Sequence, residues 1–260
     1  MSLAAEWATV QALVRRAANE ILRVPGAAIP GVLAPTIFFL GLSAVFGDLL
    51  QGRDAEYGVD NFQSWILPIS LLQGAGFTGA ATGVNLARDI EQGWFDRLLV
   101  SPAARSSLLA GMVLSASLRS LIPATILLIV GFSLGAEWPG IGGLLIALIL
   151  VMATGTVAGC WGVMLALRYR SQSAAPLMQA GMFVLVLTTT AYAPLENLEN
   201  WLADIARVNP LTQVVEAVRQ SFLTGGSVTW SETWPGLLAI TGLLLLLGGL
   251  ALRAMRRISY

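Results

Sequence analysis

Six apolar stretches, each close to the length needed to cross a lipid bilayer, are the feature of this sequence that most restricts its fold. They lie at 28–47, 64–86, 114–134, 141–167, 173–193 and 235–252. A membrane helix needs about 20 mostly apolar residues to cross the hydrocarbon core. The composition agrees, since 56% of the 260 residues are hydrophobic and only 12% are charged. We therefore predict an all-α membrane protein with six transmembrane helices.

Basic residues are concentrated on one side of these stretches. The chain has no lysine, so all 15 basic residues are arginines. Most of them lie in the N-terminal segment, in the loops after the second and fourth stretches and in the C-terminal tail; they are Arg15, Arg16, Arg23, Arg88, Arg97, Arg105, Arg168, Arg170, Arg253, Arg256 and Arg257. The opposite side carries most of the acidic residues and only Arg53, Arg207 and Arg219. Because cytoplasmic loops carry an excess of Lys and Arg, we predict that both termini are cytoplasmic, which requires an even number of crossings.

Residues 6–24 precede the first stretch and have the spacing of an amphipathic helix. Apolar side chains recur at helical intervals, at Trp7, Val10, Leu13, Val14, Ala17, Ile21 and Leu22. The arginines of this segment lie largely on the other face. We predict a helix that lies in the cytoplasmic membrane interface, with Trp7 near the headgroups. The alternative is a cytosolic helix that packs on a partner protein.

The residue types that are missing exclude several classes of function. With no histidine, no lysine and the single cysteine Cys160, the chain has no His/Cys zinc site, no Ser-His-Asp triad and no phosphate-binding lysine of its own. No acidic residue lies in the middle of an apolar stretch, which argues against an intramembrane enzyme and against an ion-coupled carrier or channel. The net charge of zero gives no general attraction to nucleic acid.

The predicted cytoplasmic loop 87–107 is longer than a simple connection needs. Its centre, from Ile90 to Val100, mixes apolar and charged side chains in a way that suits a short amphipathic helix, which Pro102 would end. Such a helix can dock into a groove on a soluble domain. The alternative is an interfacial helix held at the membrane surface by Trp94.

The order of residues in this loop resembles a known family. The matching run is Glu91-x-Gly93, Asp96-Arg97, Ser101-Pro102-x-x-Arg105 and Leu109-Ala110-Gly111. It resembles the loop between the second and third helices of type-2 ABC exporter permeases, and it is most similar to the daunorubicin-resistance branch. The later run Asn209-Pro210-Leu211-Thr212, followed by Glu216-Ala217-x-Arg219, resembles the region before the last helix of that branch. Trp94 departs from the pattern, since many relatives carry a small hydroxyl residue there.

This resemblance implies a function and a set of contact residues. The chain would be the membrane-spanning permease subunit of an ATP-driven exporter, a single domain over residues 1–260 that is not itself an enzyme. Its loop would form the coupling helix that docks on a separate ATPase. The residues that match this role are Glu91, Gly93, Trp94, Phe95, Asp96, Arg97, Pro102 and Arg105. The missing lysine is consistent with this division, because the ATP site would then lie on another chain.

The family also implies partners, cofactors and cargo. Two ABC ATPase subunits would bind ATP and Mg²⁺, and a second permease chain, identical or similar, would complete the pathway. No cofactor is expected on this chain. The implied cargo is a hydrophobic or amphiphilic drug, antibiotic or lipid, which leaves the cytoplasm or inner leaflet of a bacterial inner membrane. A polysaccharide-exporting permease and a non-ABC secondary carrier are the alternatives.

The segment 194–234 lies on the predicted external side and mixes polar with apolar residues. Asn209-Pro210 divides it into two helical pieces, which the family resemblance identifies as re-entrant helices that close the exit path. Glu216 and Arg219 are three residues apart, so they are placed to pair on one helix face. Mutual pairing is the simpler interpretation of these two residues, and contact with substrate is the alternative.

Arg119 is a charged residue within the third apolar stretch. A charge deep in lipid is costly and usually faces the protein interior or a wet cavity. Two interpretations are open: the side chain extends to the cytoplasmic headgroups, which the neighbouring serines favour, or it lines the inner mouth of the pathway. With Asn209, Pro210, Glu216 and Arg219, it completes the set of candidate pathway or gate residues.

Overall fold

The structure is a computed structural model that describes residues 3–23, 29–50, 61–101 and 103–258, and throughout these ranges the regular secondary structure is helical. The α-helices are α1 (Leu3–Arg23), α2 (Ile29–Leu50), α3 (Phe62–Glu91), α4 (Trp94–Val100), α5 (Arg105–Arg119), α6 (Leu121–Ser133), α7 (Gly140–Tyr169), α8 (Ala175–Leu187), α9 (Asn200–Val208), α10 (Pro210–Leu223) and α11 (Trp230–Arg256). Short 3-10 turns at Gln172–Ala174 and Leu195–Asn197 precede α8 and α9. The predicted all-helical class is thus observed over the described ranges.

Helix α3 lies at the centre of the bundle. It contacts α2, α6, α7, α8 and α10, and 20 of its 30 residues are buried. Glycines allow it to approach α7 closely, because a Cβ at Gly79 would collide with the carbonyl oxygen of Gly155 and a Cβ at Gly83 would collide with Gly162. Small residues at such contacts are typical of helices that pack together in a membrane.

Three helical stretches among the described residues are long and apolar enough to cross a membrane. They are Arg105–Ser133, Gly140–Tyr169 and Trp230–Arg256, and they contain the predicted stretches 114–134 (apart from its last residue), 141–167 and 235–252. Two shorter apolar helical stretches, Gly31–Phe46 and Gln172–Leu187, fall within or overlap the predicted stretches 28–47 and 173–193. The predicted stretch 64–86 lies inside α3, whose glycine and polar residues are shielded by neighbouring helices rather than exposed to lipid. The chain is therefore a helical membrane protein.

Helix α1 packs on α5 of the same chain. The Cδ1 atom of Leu13 lies 2.6 Å from the place that a Cβ at Gly111 would occupy. Val10 is buried beside this contact, whereas Trp7 is 59% exposed. The helix predicted over 6–24 is observed as far as Arg23, and part of its apolar face packs on α5. Its position in the membrane interface stays a prediction.

Helix α8 ends at Leu187, before the predicted stretch 173–193 ends, so the prediction of a full-length helix there was wrong. The hydroxyls of Thr188 and Thr189 donate to the carbonyl oxygens of Val184 at 2.9 Å and Val186 at 2.7 Å. These bonds add side-chain donors to carbonyls that also accept the amides of Thr188 and Thr189 at the end of the helix. The chain then bends and enters the turn before α9.

The predicted division of the segment 194–234 at Asn209-Pro210 is observed. Helix α9 ends at Val208 and α10 begins at Pro210, where proline fits the first helical position because its missing N–H has no helical partner there. The side-chain oxygen of Asn209 accepts a hydrogen bond from the Leu211 amide at 2.9 Å and caps α10. Asn209 therefore fixes the junction between the two helices.

Candidate functional site

The turn between α3 and α4 depends on Gly93. Its φ of +70° lies in the left-handed region, which costs most other residues about 1–2 kcal/mol. A Cβ at Gly93 would meet no described atom within 4 Å, so the backbone conformation and not the available space requires glycine here. The turn sets the direction of the seven-residue helix α4.

Helix α4 has one face turned into the protein and one face turned outward. Phe95 is 2% exposed and belongs, with Leu99, to a buried cluster that includes residues of α3, α5, α7, α8 and α11. Phe95 was predicted as an ATPase-coupling residue; its side chain packs within its own chain, and its part in coupling stays a prediction. Asp96, Arg97 and Val100 are exposed, with Val100 at 75%. We call these three residues the outer face of α4.

Glu91 is also predicted as an ATPase-coupling residue, and the structure shows which groups of its own chain it contacts. Its carboxylate accepts hydrogen bonds from the Ser171 hydroxyl at 2.8 Å, the Gln172 amide at 2.9 Å and the Gln172 side-chain Nε2 at 2.6 Å. These bonds, those of Gln172 above all, hold the pKa of Glu91 below its ordinary value because they favour the ionised form. Glu91 thus joins the end of α3 to the turn before α8.

Trp94 is held by α1. The guanidinium of Arg16 makes two parallel hydrogen bonds to Asp89, at 2.9 and 2.7 Å, and its Cζ lies 3.5 Å from the centroid of the Trp94 ring. This combination of a bidentate ion pair and a cation–π contact fixes α1 to the start of α4. Sequence analysis did not identify Arg16 or Asp89 as site residues, and no local pattern joins positions 73 residues apart.

Arg105 begins α5 on the same side of the bundle. Its Nη1 atom is buried and has no hydrogen-bond acceptor among the residues that the structure describes. Leaving such a donor unpaired costs about 1–3 kcal/mol, so the position of this guanidinium is not explained by the hydrogen bonds of the described residues. Pro102, the other predicted contact of this loop, lies outside the described residues.

Arg119 is turned toward α3. Its Nη2 donates to the Thr82 hydroxyl at 2.6 Å and its Nε donates to the Ser115 carbonyl at 3.3 Å. With Arg16 and Asp89 it lines a cleft of about 50 Å³ between α1, α3 and α5. Arg119 is therefore bonded to groups of its own chain, and both interpretations, extension to the cytoplasmic headgroups and lining of the inner mouth of the pathway, stay predictions.

Arg219 is the most deeply buried charged residue described, with 1% of its surface exposed. Its Nη1 pairs with the Glu216 carboxylate at 2.7 Å, as the spacing predicted, and its Nη2 donates to the carbonyls of Thr190 at 2.7 Å and Ala191 at 3.2 Å. Its Nε donates to the Trp65 carbonyl at 3.3 Å. A buried charge is tolerated when its donors are satisfied in this way, so Arg219 joins α10 to α3 and to the chain after α8.

Glu216 and Asn209 extend this network at the outer end of α8. The Thr190 hydroxyl donates a short hydrogen bond to Glu216, whose side chain is 37% exposed. The side-chain nitrogen of Asn209 donates to the Leu185 carbonyl at 2.8 Å and to the carbonyl and hydroxyl of Thr188 at 3.1 and 3.0 Å. The predicted gate residues Asn209, Glu216 and Arg219 therefore meet around the end of α8, whereas Arg119 lies elsewhere.

Comparison with known proteins agrees with this arrangement. Residues 8–223 match the model of the ABC-2 type transporter family, and the chain belongs to that family. The predicted resemblance to this family is thereby confirmed.

Three relatives illustrate the match. The chain is 28% identical over 212 residues to the probable multidrug ABC transporter permease YbhR of Escherichia coli (strain K12), with 75% of this chain and 56% of the relative covered. It is 29% identical over 216 residues to the putative transport permease ycf38 of Cyanophora paradoxa, with 80% and 71% covered. It is 24% identical over 246 residues to the daunorubicin resistance ABC transporter permease protein DrrB1 of Streptomyces coeruleorubidus, with 93% and 83% covered. The matched region thus spans little more than half the length of the Escherichia coli relative.

Proposed function

We propose that this chain is the membrane-spanning subunit of an ATP-driven exporter and that α4 is the element on which its ATPase acts. The observation that carries the proposal is the geometry of α4: a short helix set by the left-handed Gly93, buried on one face and exposed on the other through Asp96, Arg97 and Val100. Membership of the ABC-2 type transporter family supports the same function.

The proposed topology has six crossings with both termini in the cytoplasm of a bacterial cell. The crossings are α2, α3, the pair α5 and α6, α7, α8 with its flanking residues, and α11. The one-sided distribution of arginines supports this orientation. Helix α8 has 13 residues, about 20 Å of helix, which is shorter than a hydrocarbon core of about 30 Å. We therefore place α9 and α10 as re-entrant helices that cover its outer end, and α1 in the cytoplasmic interface.

The proposed partners follow from the exposed face of α4. An ABC ATPase docks on the exposed residues Asp96, Arg97 and Val100, while ATP and Mg²⁺ bind on the ATPase. Two ATPases and a second permease chain, identical or similar, form the complete exporter. Because the ATP-bound pair favours one arrangement of the docked helices, ATP binding shifts the population of membrane conformations.

The proposed cargo is a hydrophobic or amphiphilic compound such as a drug, an antibiotic or a lipid. Two arginines inside the bundle, Arg119 and Arg219, are already engaged by neighbouring protein groups. Because both charges are bonded to groups of the same chain, the interior of the bundle suits an apolar cargo better than a strongly ionic one. The names of YbhR and DrrB1, which refer to multidrug transport and daunorubicin resistance, support a drug-like cargo.

The test is a reconstitution with candidate ABC ATPases from the same organism, in which association and substrate-stimulated ATP turnover are measured. Arg97→Glu should weaken both, because it reverses an exposed charge on the docking face. The matched control is Arg257→Glu, an exposed arginine beyond α11 that should leave both unchanged. Failure of the ATPase to co-purify, or equal behaviour of the two variants, would contradict the proposal.

A further inference from the structure

Helix α8 is connected at its cytoplasmic end to the segment that precedes α4. The Glu91 carboxylate, three residues before Trp94, receives three hydrogen bonds from Ser171 and Gln172, with distances between 2.6 and 2.9 Å. The Ser171 hydroxyl also accepts a hydrogen bond from the Ser173 amide at 3.2 Å, inside the turn that leads into α8. A displacement of the α3–α4 turn therefore pulls on the start of α8.

The opposite end of α8 is connected to the external helices. The side-chain nitrogen of Asn209 donates to the carbonyls of Leu185 and Thr188 at 2.8 and 3.1 Å, and Arg219 donates to Thr190 and Ala191 just beyond the helix. Asn209 is the junction of α9 and α10, so both helices are attached to the last turn of α8.

Between its ends, α8 is held mainly by apolar packing. A stripe formed by Met178, Met182 and Val186 is buried, and the opposite face is uncovered, with Val184 55% exposed. Among the described residues its hydrogen bonds to neighbouring helices along this length are one from the Trp161 indole to the Met178 carbonyl at 3.2 Å and one from the Gln179 side chain to α3 at 3.5 Å. The short helix is thus joined by hydrogen bonds at both ends and mainly by non-directional apolar contacts between them, an arrangement that lets it move as a unit.

We propose that α8 transmits movement of the coupling segment to the external helices, with Glu91 as the positioning residue at one end and Asn209 as the positioning residue at the other. This inference rests on the proposed exporter function. It gives Glu91 a role inside the permease, where it passes on the displacement of α4, in place of a direct contact with the ATPase. Displacement of α4 is also passed directly along α3, because the chain joins the two helices. The path through α8 is a second, parallel one.

The test uses a removable linker in place of the Glu91 contact. In a Cys160→Ser background, Glu91→Cys and Gln172→Cys are combined, the exporter is reconstituted with its ATPase, and transport per ATP hydrolysed is measured. The reduced protein should lose about fivefold in this ratio, a loss typical of broken coupling between sites. Joining the two cysteines with a short bis-methanethiosulfonate linker should restore the ratio, and reduction of the linker should lower the ratio again.

The matched control is Glu232→Ala, which removes an exposed carboxylate at the start of α11 and should have no effect on the ratio.

A second measurement tests whether the two ends act in series. Asn209→Ala alone should lower transport per ATP by a similar factor, and the double variant Glu91→Ala, Asn209→Ala should lose no more than the worse single variant. Multiplied losses in the double variant, or no restoration by the linker, would overturn the inference while the exporter function stands. Absence of ATP-dependent transport in the unmodified complex would instead overturn the exporter function, and the inference with it.

Discussion

The guanidinium of Arg219 lies over the indole ring of Trp65, with its Cζ 3.8 Å from the ring centroid. The same side chain donates to the Trp65 backbone carbonyl and to two carbonyls after α8, and it pairs with Glu216. One side chain of α10 is thus bonded to the central helix α3 and to the chain that follows α8. Because every contact of this charge is made within the protein, Arg219 contributes to stability more directly than to recognition of a substrate.

Replacing Arg219 tests that conclusion. Arg219→Leu removes a donor from three carbonyls and leaves Glu216 without its ion-pair partner, so it should lower the free energy of unfolding by at least about 2 kcal/mol. The measurement is the thermal unfolding midpoint in detergent. The control is Arg207→Leu, since Arg207 pairs with Asp204 on α9 with both side chains more than 60% exposed, and such exposed pairs contribute about 0–1 kcal/mol. Equal midpoints for the two variants would contradict a structural role for Arg219.

Gly93 provides a test of the turn before α4. Gly93→Ala should destabilise the protein by about 1 kcal/mol, because alanine must adopt the left-handed conformation that glycine adopts at φ +70°. The matched control is Gly242→Ala in α11, where an added Cβ meets no described atom within 4 Å and the backbone is helical. That variant should be neutral or slightly stabilising. A stable Gly93→Ala protein would show that the turn has another conformation in solution.

Local patterns in the sequence predicted the features that depend on nearby residues. The helix over 6–24 follows from apolar spacing, the division at Asn209-Pro210 follows from proline chemistry, and the pairing of Glu216 with Arg219 follows from a separation of three residues on one helix. Each of these features depends on residues that lie within one or two helical turns of each other. The family resemblance rested on similar short runs, and the family match confirms it.

Contacts between distant segments were not predictable in this way. Arg16 meets Asp89, and Glu91 meets Gln172, across separations of 73 and 81 residues. The apolar spacing of a seven-residue helix is too short to show which side faces its own protein, so the burial of Phe95 and Leu99 was not predicted. Several polar residues of α3 face other helices. Its mean hydropathy therefore does not show how large a fraction of the helix is buried in the bundle.

The pair of Arg16 and Asp89 should stabilise the contact between α1 and the coupling segment. With side chains 41% and 14% exposed, the pair is partly screened by solvent, and we expect a double-mutant cycle of Arg16→Ala and Asp89→Ala to give an interaction of about 0.5–1 kcal/mol. Trp94→Leu should add a separate loss of about 0.5–1 kcal/mol by removing the cation–π contact. Thermal midpoints of the four variants supply the measurement. An interaction energy of zero would mean that α1 is not held by this pair.

The ionised form of Glu91 should be needed for its contact with Gln172. The folded-state pKa of Glu91 lies below its ordinary value of 4.5, so its contribution to stability is complete above that value and is lost as the pH falls through the folded pKa. We expect the wild-type protein to be more stable than Glu91→Gln by a constant amount between about pH 6 and 8, and the difference to shrink as the pH drops below about 4.5. Unfolding midpoints of both proteins across this range provide the test. A difference that grew toward acid pH would contradict this assignment.

The orientation of α4 can be measured because the chain has a single cysteine, Cys160, and that residue is buried. In a Cys160→Ser background, Val100→Cys places a thiol on the outer face of α4, where the native side chain is 75% exposed, and Trp201→Cys places one on α9, where it is 64% exposed. A membrane-impermeant maleimide should label residue 100 only from the cytoplasmic side and residue 201 only from the external side. Addition of the ATPase should then protect residue 100, because docking covers that face, and should leave residue 201 reactive. Labelling of residue 100 from outside the cell would reverse the topology and remove the surface on which the ATPase is proposed to act.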